Sequence, residues 1–177
     1  MKAKSKEPGG VAPSVVIREM ELKDIQPVFD LGNRIFTAER WPVLYRCWDE
    51  HELLDLFGAD GAICLVAEAA DRIVGFCLGN ITRKPRSAWC YGYLLWLGVA
   101  PRFKKRGVGR RLVNRLTDGF IASGARMMLV DTSAENRRAI EFFKRGGFGN
   151  AIHHVYLSRN LDSHPRYIER KSDEWDE

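Results

Sequence analysis

Residues 97–112, LGVAPRFKKRGVGRRL, decide the fold. They join a long aromatic and apolar strand, predicted over 89–99, to a basic loop and a helix predicted over 107–123. The start of a helix exposes unpaired N–H groups and the positive end of its dipole, so it binds phosphate groups. Gly107 and Gly109 lack side chains, so a diphosphate can lie directly against the backbone. This stretch therefore predicts a phosphate-binding turn.

The glycine spacing in this turn excludes two common phosphate-binding motifs. The Gly-x-x-x-x-Gly-Lys-Ser/Thr pattern of P-loops is absent, and so is the Gly-x-Gly-x-x-Gly pattern of dinucleotide-binding folds. The strands before the turn are also predicted to pair as a hairpin, which the dinucleotide-binding fold does not use. A simple turn with a solvated basic face also fits the local sequence.

The chain upstream predicts a short strand and two helices. A strand at 15–17 precedes a helix that Asp24 is expected to cap, because apolar residues follow it at helical spacing. Asp49 and Glu52 then form a capping-box pattern before a second helix, and Gly58 marks its end.

Two further strands lead into the phosphate-binding turn. Segments 62–69 and 72–81 read as strands, and the two-residue link between them predicts an antiparallel hairpin. A basic loop follows at 82–88. Beyond the turn, 126–131 is another apolar strand, so the strand at 89–99, its helix and this strand form one βαβ unit. That unit implies one parallel pair of strands in an otherwise antiparallel sheet.

The last part of the chain predicts a helix at 136–145 and a final strand at 148–157. The fold class is therefore α/β (α+β), with a mixed, mostly antiparallel sheet, one parallel βαβ unit and helices on both faces. We expect a flexible N-terminal arm at 1–13, one domain at 14–161 and a loose, charged C-terminal tail at 162–177.

Composition indicates one ordinary domain with a basic surface. The chain has 177 residues, of which 45% are hydrophobic and 29% charged, and a net charge of +5 that favours an anionic partner. The start of the chain has no signal-peptide core and no apolar run is long enough for a membrane span, so we expect a cytoplasmic protein without membrane contact. Its cysteines lack metal-binding spacing, which predicts reduced thiols and no metal site: Cys47, Cys64, Cys77 and Cys90.

Two segments carry a family resemblance. KKRGVG at 104–109 resembles the acetyl-CoA loop of the GNAT superfamily of N-acetyltransferases, and NRRAIEFFKRGGF at 136–148 resembles a second motif of that family. The resemblance extends over about 15–157, with the expected elements between the two motifs. It implies a single GNAT domain, acetyl-CoA as cosubstrate, and an enzyme that transfers an acetyl group to a primary amine.

The resemblance also implies roles for particular residues. The end of the long strand would pair with the pantetheine arm through backbone groups, and the turn would hold the diphosphate. Asn136 would contact the pantetheine region, and Phe143 would lie beside the thioester. The full set of implied cofactor-binding residues is Leu97, Gly98, Val99, Lys104, Lys105, Arg106, Gly107, Val108, Gly109, Arg110, Asn136 and Phe143.

Two of these residues depart from the family pattern. Lys104 stands where the family has Gln or Arg, so the planar fork of an arginine is lost. Phe143 stands where the family has Tyr, so it has no hydroxyl with which to return a proton to the thiolate. Phe142, beside it, is expected to pack in the core. The thiolate is a stable leaving group, so catalysis does not require a dedicated acid.

Asp131 is the candidate general base. It ends an apolar strand five residues before Asn136, and this placement is similar to a carboxylate of the ribosomal-protein alanine N-acetyltransferases in the same family. The alternative is that Asp131 only caps the turn into the next helix. Glu68, Glu135, His153 and His154 are less favoured acid–base candidates. Tyr91 and Tyr93 share one face of the long strand, where they could line an acceptor groove or pack under a helix.

The acceptor is less sharply defined by the sequence. The aromatic residues of segment 37–48 predict a partly apolar acceptor, which could be a peptide or protein N-terminus, a lysine or a small amine. A monomer or a homodimer fits equally. Two other functions stay open: an acyl-CoA-binding sensor without catalysis, which Phe143 favours, and a nucleic-acid-binding domain, which the basic loops favour although it is the less expected of the two.

Overall fold

The structure, a computed structural model, describes residues 14–37, 48–83, 89–155 and 157–173. The arm at 1–13, residues 38–47 of the aromatic segment with Cys47, and residues 84–88 of the basic loop lie outside the described residues. The strands are β1 Val16–Glu19, β2 Ala62–Ala69, β3 Arg72–Arg83, β4 Cys90–Val99 and β5 Met127–Val130. The helices are α1 Ile25–Ile35, α2 Glu50–Gly58, α3 Val108–Ala122, α4 Arg137–Arg145 and α5 Pro165–Asp173, with short 3-10 turns at Leu22–Asp24 and Pro101–Phe103.

The five strands form one mixed sheet in the order β1-β2-β3-β4-β5. Every neighbouring pair is antiparallel except β4 and β5, which are parallel and joined through α3. The predicted fold class and the predicted βαβ unit are therefore confirmed. The hairpin between β2 and β3 turns on Ala70 and Asp71, whose positive φ angles of 48° and 56° suit the twist of an antiparallel pair.

Two apolar clusters cover the two faces of the sheet. On one face α3 packs Leu112, Leu116 and Phe120 against the strands. Gly92 makes this contact possible, because a Cβ there would overlap the Phe120 ring. On the other face α1 and α2 pack against Phe76 and its neighbours. No helix among the described residues is long and apolar enough to cross a membrane.

An irregularity in β4 changes which face its side chains occupy. Leu78 of β3 pairs with Trp96, and the next residue of β3 pairs with Leu94, so the register skips Leu95. Before this bulge, Leu94 packs with the α3 cluster; after it, Trp96 packs with the α1 and α2 cluster. The end of β4 therefore turns its even-numbered side chains away from α3.

Of the two predicted helix caps, Asp24 and Asp49, only Asp49 caps its helix with its side chain. Asp24 does not cap α1, because its carboxylate accepts two hydrogen bonds from Arg18, at 2.6 and 2.9 Å, and one from the backbone of Glu21 at 2.8 Å. Asp49 caps α2 as predicted, and its side chain accepts the backbone N–H of Glu52. The Glu52 carboxylate accepts a hydrogen bond from the Trp96 indole at 3.1 Å and so ties α2 to β4.

The end of the chain contradicts one prediction. Segment 148–157 forms no strand in its described part, and its apolar residues Ile152, Val155 and Leu157 are 89%, 76% and 86% exposed. Its residues alternate as those of a strand do, but none of the described ones pairs with the sheet. The charged tail contains α5.

Candidate active site

Strand β4 continues beyond the end of its partner β5. Their pairing ends at Leu94 and Val130, while β4 runs for five more residues, to Val99, and the space beside this part of β4 is called the gap. The N–H of Ala100 donates to Val74 in β3, so by alternation the backbone groups of Leu97 and Val99 point the other way, into the gap. This is the orientation that the predicted pairing with a pantetheine arm requires.

Gly98 has a different environment from its two neighbours. Its carbonyl oxygen faces β3, 3.0 Å from the position of a Cβ on Gly75, and a Cβ on Gly98 itself would lie 2.7 Å from the Phe76 ring. The structure therefore accounts for this glycine by close packing. Because the Gly98 carbonyl points to β3 and not into the gap, it does not face a ligand there. The contact of Gly98 with the cofactor stays a prediction.

The predicted phosphate-binding turn lies between β4 and α3. Lys105 and Gly107 have positive φ angles of 62° and 77°, and the first bond of α3 runs from the Arg111 N–H to the Gly107 carbonyl at 3.0 Å. The N–H groups of residues 107–110 therefore have no carbonyl partner within the helix. Gly107 faces open space, since a Cβ there would meet no atom within 4 Å. The turn thus offers several donors and room for an anion.

Cationic side chains surround this turn. The side chains of Lys104, Lys105 and Arg110 are exposed, and Arg106 lies over the Phe103 ring, 5.5 Å from its centroid. Val108 differs from them, because its side chain is buried in the core and only its backbone can face a ligand. Unpaired N–H groups, positive charge and an open glycine together fit the diphosphate of an acyl-CoA.

Asn136 begins α4 and uses both ends of its side-chain amide within the protein. Its Oδ1 accepts the backbone N–H of Ala139 at 3.2 Å, and its Nδ2 donates to the Thr132 hydroxyl at 3.1 Å. Asn136 is therefore the N-cap of α4. Its contact with a pantetheine arm stays a prediction, to be made alongside this capping role.

Phe142 and Phe143 both belong to the apolar cluster under α3. Phe143 is the more buried ring, only 8% exposed, and it makes edge-on contacts with Phe142 and Phe148 at 5.2 and 5.3 Å between centroids. Phe142 is half-buried, packs against the core as predicted, and reaches the first turn of α3, where a Cβ on Gly109 would lie 3.5 Å from its ring. The place of Phe143 beside a thioester stays a prediction.

Asp131 follows β5 immediately, next to the last residue pair that joins β4 and β5. Its Oδ1 lies 2.7 Å from the Tyr93 hydroxyl, which donates the hydrogen bond, and both side chains are half-buried. The N-cap of α4 is Asn136 and not Asp131. The sequence did not predict the contact with Tyr93, since it depends on the register that pairs Tyr93 with Leu129.

Comparison with known families identifies the protein class. The sequence model of the acetyltransferase (GNAT) family matches residues 31–148. The chain belongs to the GNAT acetyltransferase family. This confirms the predicted N-acetyltransferase class and acetyl-CoA as its cosubstrate.

Solved structures agree with the fold of this GNAT acetyltransferase. An aminoglycoside N-acetyltransferase, AAC(6')-Iy in complex with CoA, is 22% identical with a TM-score of 0.68, over 86% of this chain and 97% of that one. Glucosamine-6-phosphate N-acetyltransferase from Arabidopsis thaliana is 20% identical with a TM-score of 0.62, over 84% and 99%. A transcriptional regulator from Bacillus halodurans C-125 is 14% identical with a TM-score of 0.69, over 82% and 100%. At sequence identities of 14% to 22%, these similarities show a shared fold.

The other acid–base candidates of this GNAT acetyltransferase are placed less favourably. Glu68 lies on β2 and binds Arg18 at 2.7 Å, with β3 and β4 between it and the gap. Glu135, His153 and His154 are all exposed, and the two histidines belong to the segment that forms no strand. Within the described ranges, no group of three or more His, Cys, Asp or Glu side chains could hold a metal ion.

Proposed function

We propose that this chain transfers the acetyl group of acetyl-CoA to a primary amine, with Asp131 as the general base. The observation that carries the proposal is the position of the Asp131 carboxylate, at the edge of the gap between β4 and β5 and hydrogen-bonded to Tyr93 at 2.7 Å. A carboxylate at this point can meet an amine that approaches a thioester lying in the gap.

Acetyl-CoA would be held by backbone groups more than by side chains. The N–H groups at the start of α3 would bind the diphosphate, and the exposed cations around the turn would add to the attraction. The inward-facing backbone of Leu97 and Val99 would pair with the pantetheine arm as an added strand does. The thioester would then lie near the point where β4 and β5 separate.

The chemistry needs one proton acceptor at that point. Asp131 takes a proton from the acceptor's ammonium group, and the neutral nitrogen attacks the thioester carbonyl carbon. A carbon–nitrogen bond forms, the carbon–sulfur bond breaks, and the sulfur leaves with the electron pair as a thiolate. The second proton of the nitrogen passes to the thiolate or to water. Because the thiolate is stable, Phe143 is compatible with turnover although it has no hydroxyl.

The acceptor would enter from the face of the sheet opposite α3. Gly92 and Leu94 face α3, so Tyr91 and Tyr93, the odd-numbered residues of this part of β4, face the other side. Their half-buried rings favour an acceptor with an apolar part beside its amine. Two of the similar structures are named for amino-sugar acceptors, an aminoglycoside and glucosamine-6-phosphate, which supports an amine as the acceptor class.

An acceptor screen with acetyl-CoA tests this proposal. Peptide N-termini, lysine peptides, amino sugars and small amines are each incubated with the protein, and thiol release and product mass are measured. With an active acceptor, Asp131→Asn should lower turnover at neutral pH by at least about tenfold, with unchanged acetyl-CoA affinity. The loss should shrink as pH rises, because more of the amine is then already neutral.

Asp118→Asn is the matched control for this experiment. Asp118 is an exposed carboxylate on α3, and the substitution makes the same change of charge away from the gap. It should leave the pH–rate curve as in the wild type. If Asp131→Asn also matched the wild type at every pH while staying folded, Asp131 would not be the base.

The buried Phe143 favours one second candidate, an acyl-CoA sensor without catalysis. This candidate predicts that acetyl-CoA raises the melting temperature but that no acceptor class gives thiol release. Product formation with any amine would decide for the enzyme.

A further inference from the structure

The hydrogen bond between Tyr93 and Asp131 joins two elements that are far apart in the sequence. The residues are 38 positions apart, and the bond crosses from β4 to the residue that follows β5. The parallel register pairs Tyr93 with Leu129, so Asp131 lies two residues further along and on the same face. The bond therefore connects diagonal neighbours across the last paired part of the two strands.

The geometry defines the direction of this bond. The Tyr93 hydroxyl is the donor of this bond, and a carboxylate oxygen of Asp131 accepts it. An O–H to carboxylate bond at 2.7 Å lies in the range of charge-assisted hydrogen bonds. Tyr93 therefore donates to one carboxylate oxygen, Oδ1, and restricts rotation of the Asp131 side chain.

The surroundings of Tyr93 make its hydroxyl well placed for such a role. Gly92 and Leu94, on either side, lie against α3, so both neighbours of Tyr93 are held in the core. The tyrosine is half-buried, and the bulge at Leu95 follows two residues later. A rigid strand thus carries the hydroxyl, whereas Asp131 begins the loop that leads from β5 to α4.

We propose that Tyr93 is a positioning residue that orients the carboxylate of Asp131 toward the acceptor amine. This inference rests on the proposed function, because it assumes that Asp131 is the base. In this role Tyr93 exchanges no proton with the substrate. Its hydroxyl donates to the carboxylate and fixes the rotamer of the base.

The test compares Tyr93→Phe with Tyr167→Phe. Tyr167 lies on α5, outside the sheet, and is 43% exposed, so its substitution removes the same atom from a tyrosine that the mechanism does not use. Tyr93→Phe should lower kcat by about fivefold at neutral pH, while the KM for the acceptor stays the same. Acetyl-CoA affinity should not change. Tyr167→Phe should match the wild type in both measurements.

A second readout does not depend on turnover. The carboxyl carbon of Asp131, followed by ¹³C NMR at neutral pH, should change its chemical shift in Tyr93→Phe and keep it in Tyr167→Phe. If Tyr93→Phe is too unstable to study, 3-fluorotyrosine at position 93 keeps the ring and makes a stronger donor. It should keep kcat at or above the wild-type value, and a fall in kcat would contradict the positioning role.

The outcomes separate the two proposals. If Asp131→Asn reduces turnover but Tyr93→Phe changes neither kcat nor the carboxyl chemical shift, only the positioning role is wrong. If Asp131→Asn has no effect on turnover, the proposed base is wrong, and the positioning role falls with it even if the chemical shift shows the bond. In the Asp131→Asn background Tyr93→Phe should cause no further loss, and an additive loss would show that Tyr93 acts independently of Asp131.

Discussion

Phe142 packs against Gly109, and this contact connects the first turn of α3 with α4. A Cβ on Gly109 would lie 3.5 Å from the Phe142 ring and 3.7 Å from Val99, both ordinary contact distances. The fold therefore has room for a methyl group at this position. That room lies beside Val99, whose backbone groups point into the gap between β4 and β5, so a ligand there would meet the methyl group.

Gly109→Ala should separate stability from cofactor binding. We expect the free energy of unfolding to stay the same or rise by up to about 1 kcal/mol, because alanine favours a helix over glycine. Acetyl-CoA at about a hundred times its Kd should stabilise the wild type by about 2.7 kcal/mol. In the variant we expect this stabilisation to fall by more than half. Thermal unfolding with and without acetyl-CoA measures both effects.

Gly58→Ala is the control for this substitution. Gly58 ends α2, and a Cβ there would meet nothing within 4 Å, so the change adds a methyl group to a helix away from the turn. It should keep the full stabilisation by acetyl-CoA. Equal stabilisation of Gly109→Ala and Gly58→Ala would mean that the ligand does not lie against this turn.

Phe143→Tyr tests whether the missing hydroxyl matters. If the ring edge faces the thioester, as the family resemblance predicts, the added hydroxyl should keep or raise the acetylation rate because it can protonate the thiolate. Phe148→Tyr adds the same group to a ring in contact with Phe143 and should leave the rate unchanged. The measurements are the acetylation rate as a function of pH and the melting temperature, for both variants and the wild type.

Two results would contradict the placement of Phe143. A rate below that of the wild type at every pH, with an unchanged melting temperature, would show that another group already serves the thiolate. A loss of about 1–3 kcal/mol in the free energy of unfolding would show that the hydroxyl is buried without a partner in the core.

The sequence predicted those features that depend on local physics. The glycine turn before α3 could be predicted because Gly107 suits the positive φ of 77° that the start of the helix needs. The order of strands and helices followed from hydrophobic periodicity, and the link at 70–71 identified the hairpin. Each of these features is specified by residues within one short stretch of chain.

The features that the sequence missed depend on distant contacts. Asp24 has every property of an N-cap, but Arg18 and the backbone of Glu21 take up its carboxylate. The Tyr93 and Asp131 pair required knowledge of the β4 and β5 register. Segment 148–157 alternates as a strand does, yet periodicity does not say whether a partner strand is within reach.

Asp24→Asn should destabilise the domain in a way that depends on pH. Arg18 donates to the Asp24 carboxylate at 2.6 Å and holds the pKa of Asp24 below its usual value. A group with a lowered folded-state pKa adds stability above its unfolded pKa, about 3.9, and loses that contribution as pH falls through the folded pKa. The cost of the substitution should be about 2 kcal/mol at pH 5–8 and should shrink below about pH 4.

Urea unfolding at pH 7, 5 and 3 measures this cost. The control is Asp30→Asn, which removes an exposed carboxylate of α1 that accepts a side-chain hydrogen bond from Gln26. The control should stay within about 0.5 kcal/mol of the wild type at each pH. A cost for Asp24→Asn that is the same at pH 3 as at pH 7 would mean that the Arg18 pair contributes nothing through charge.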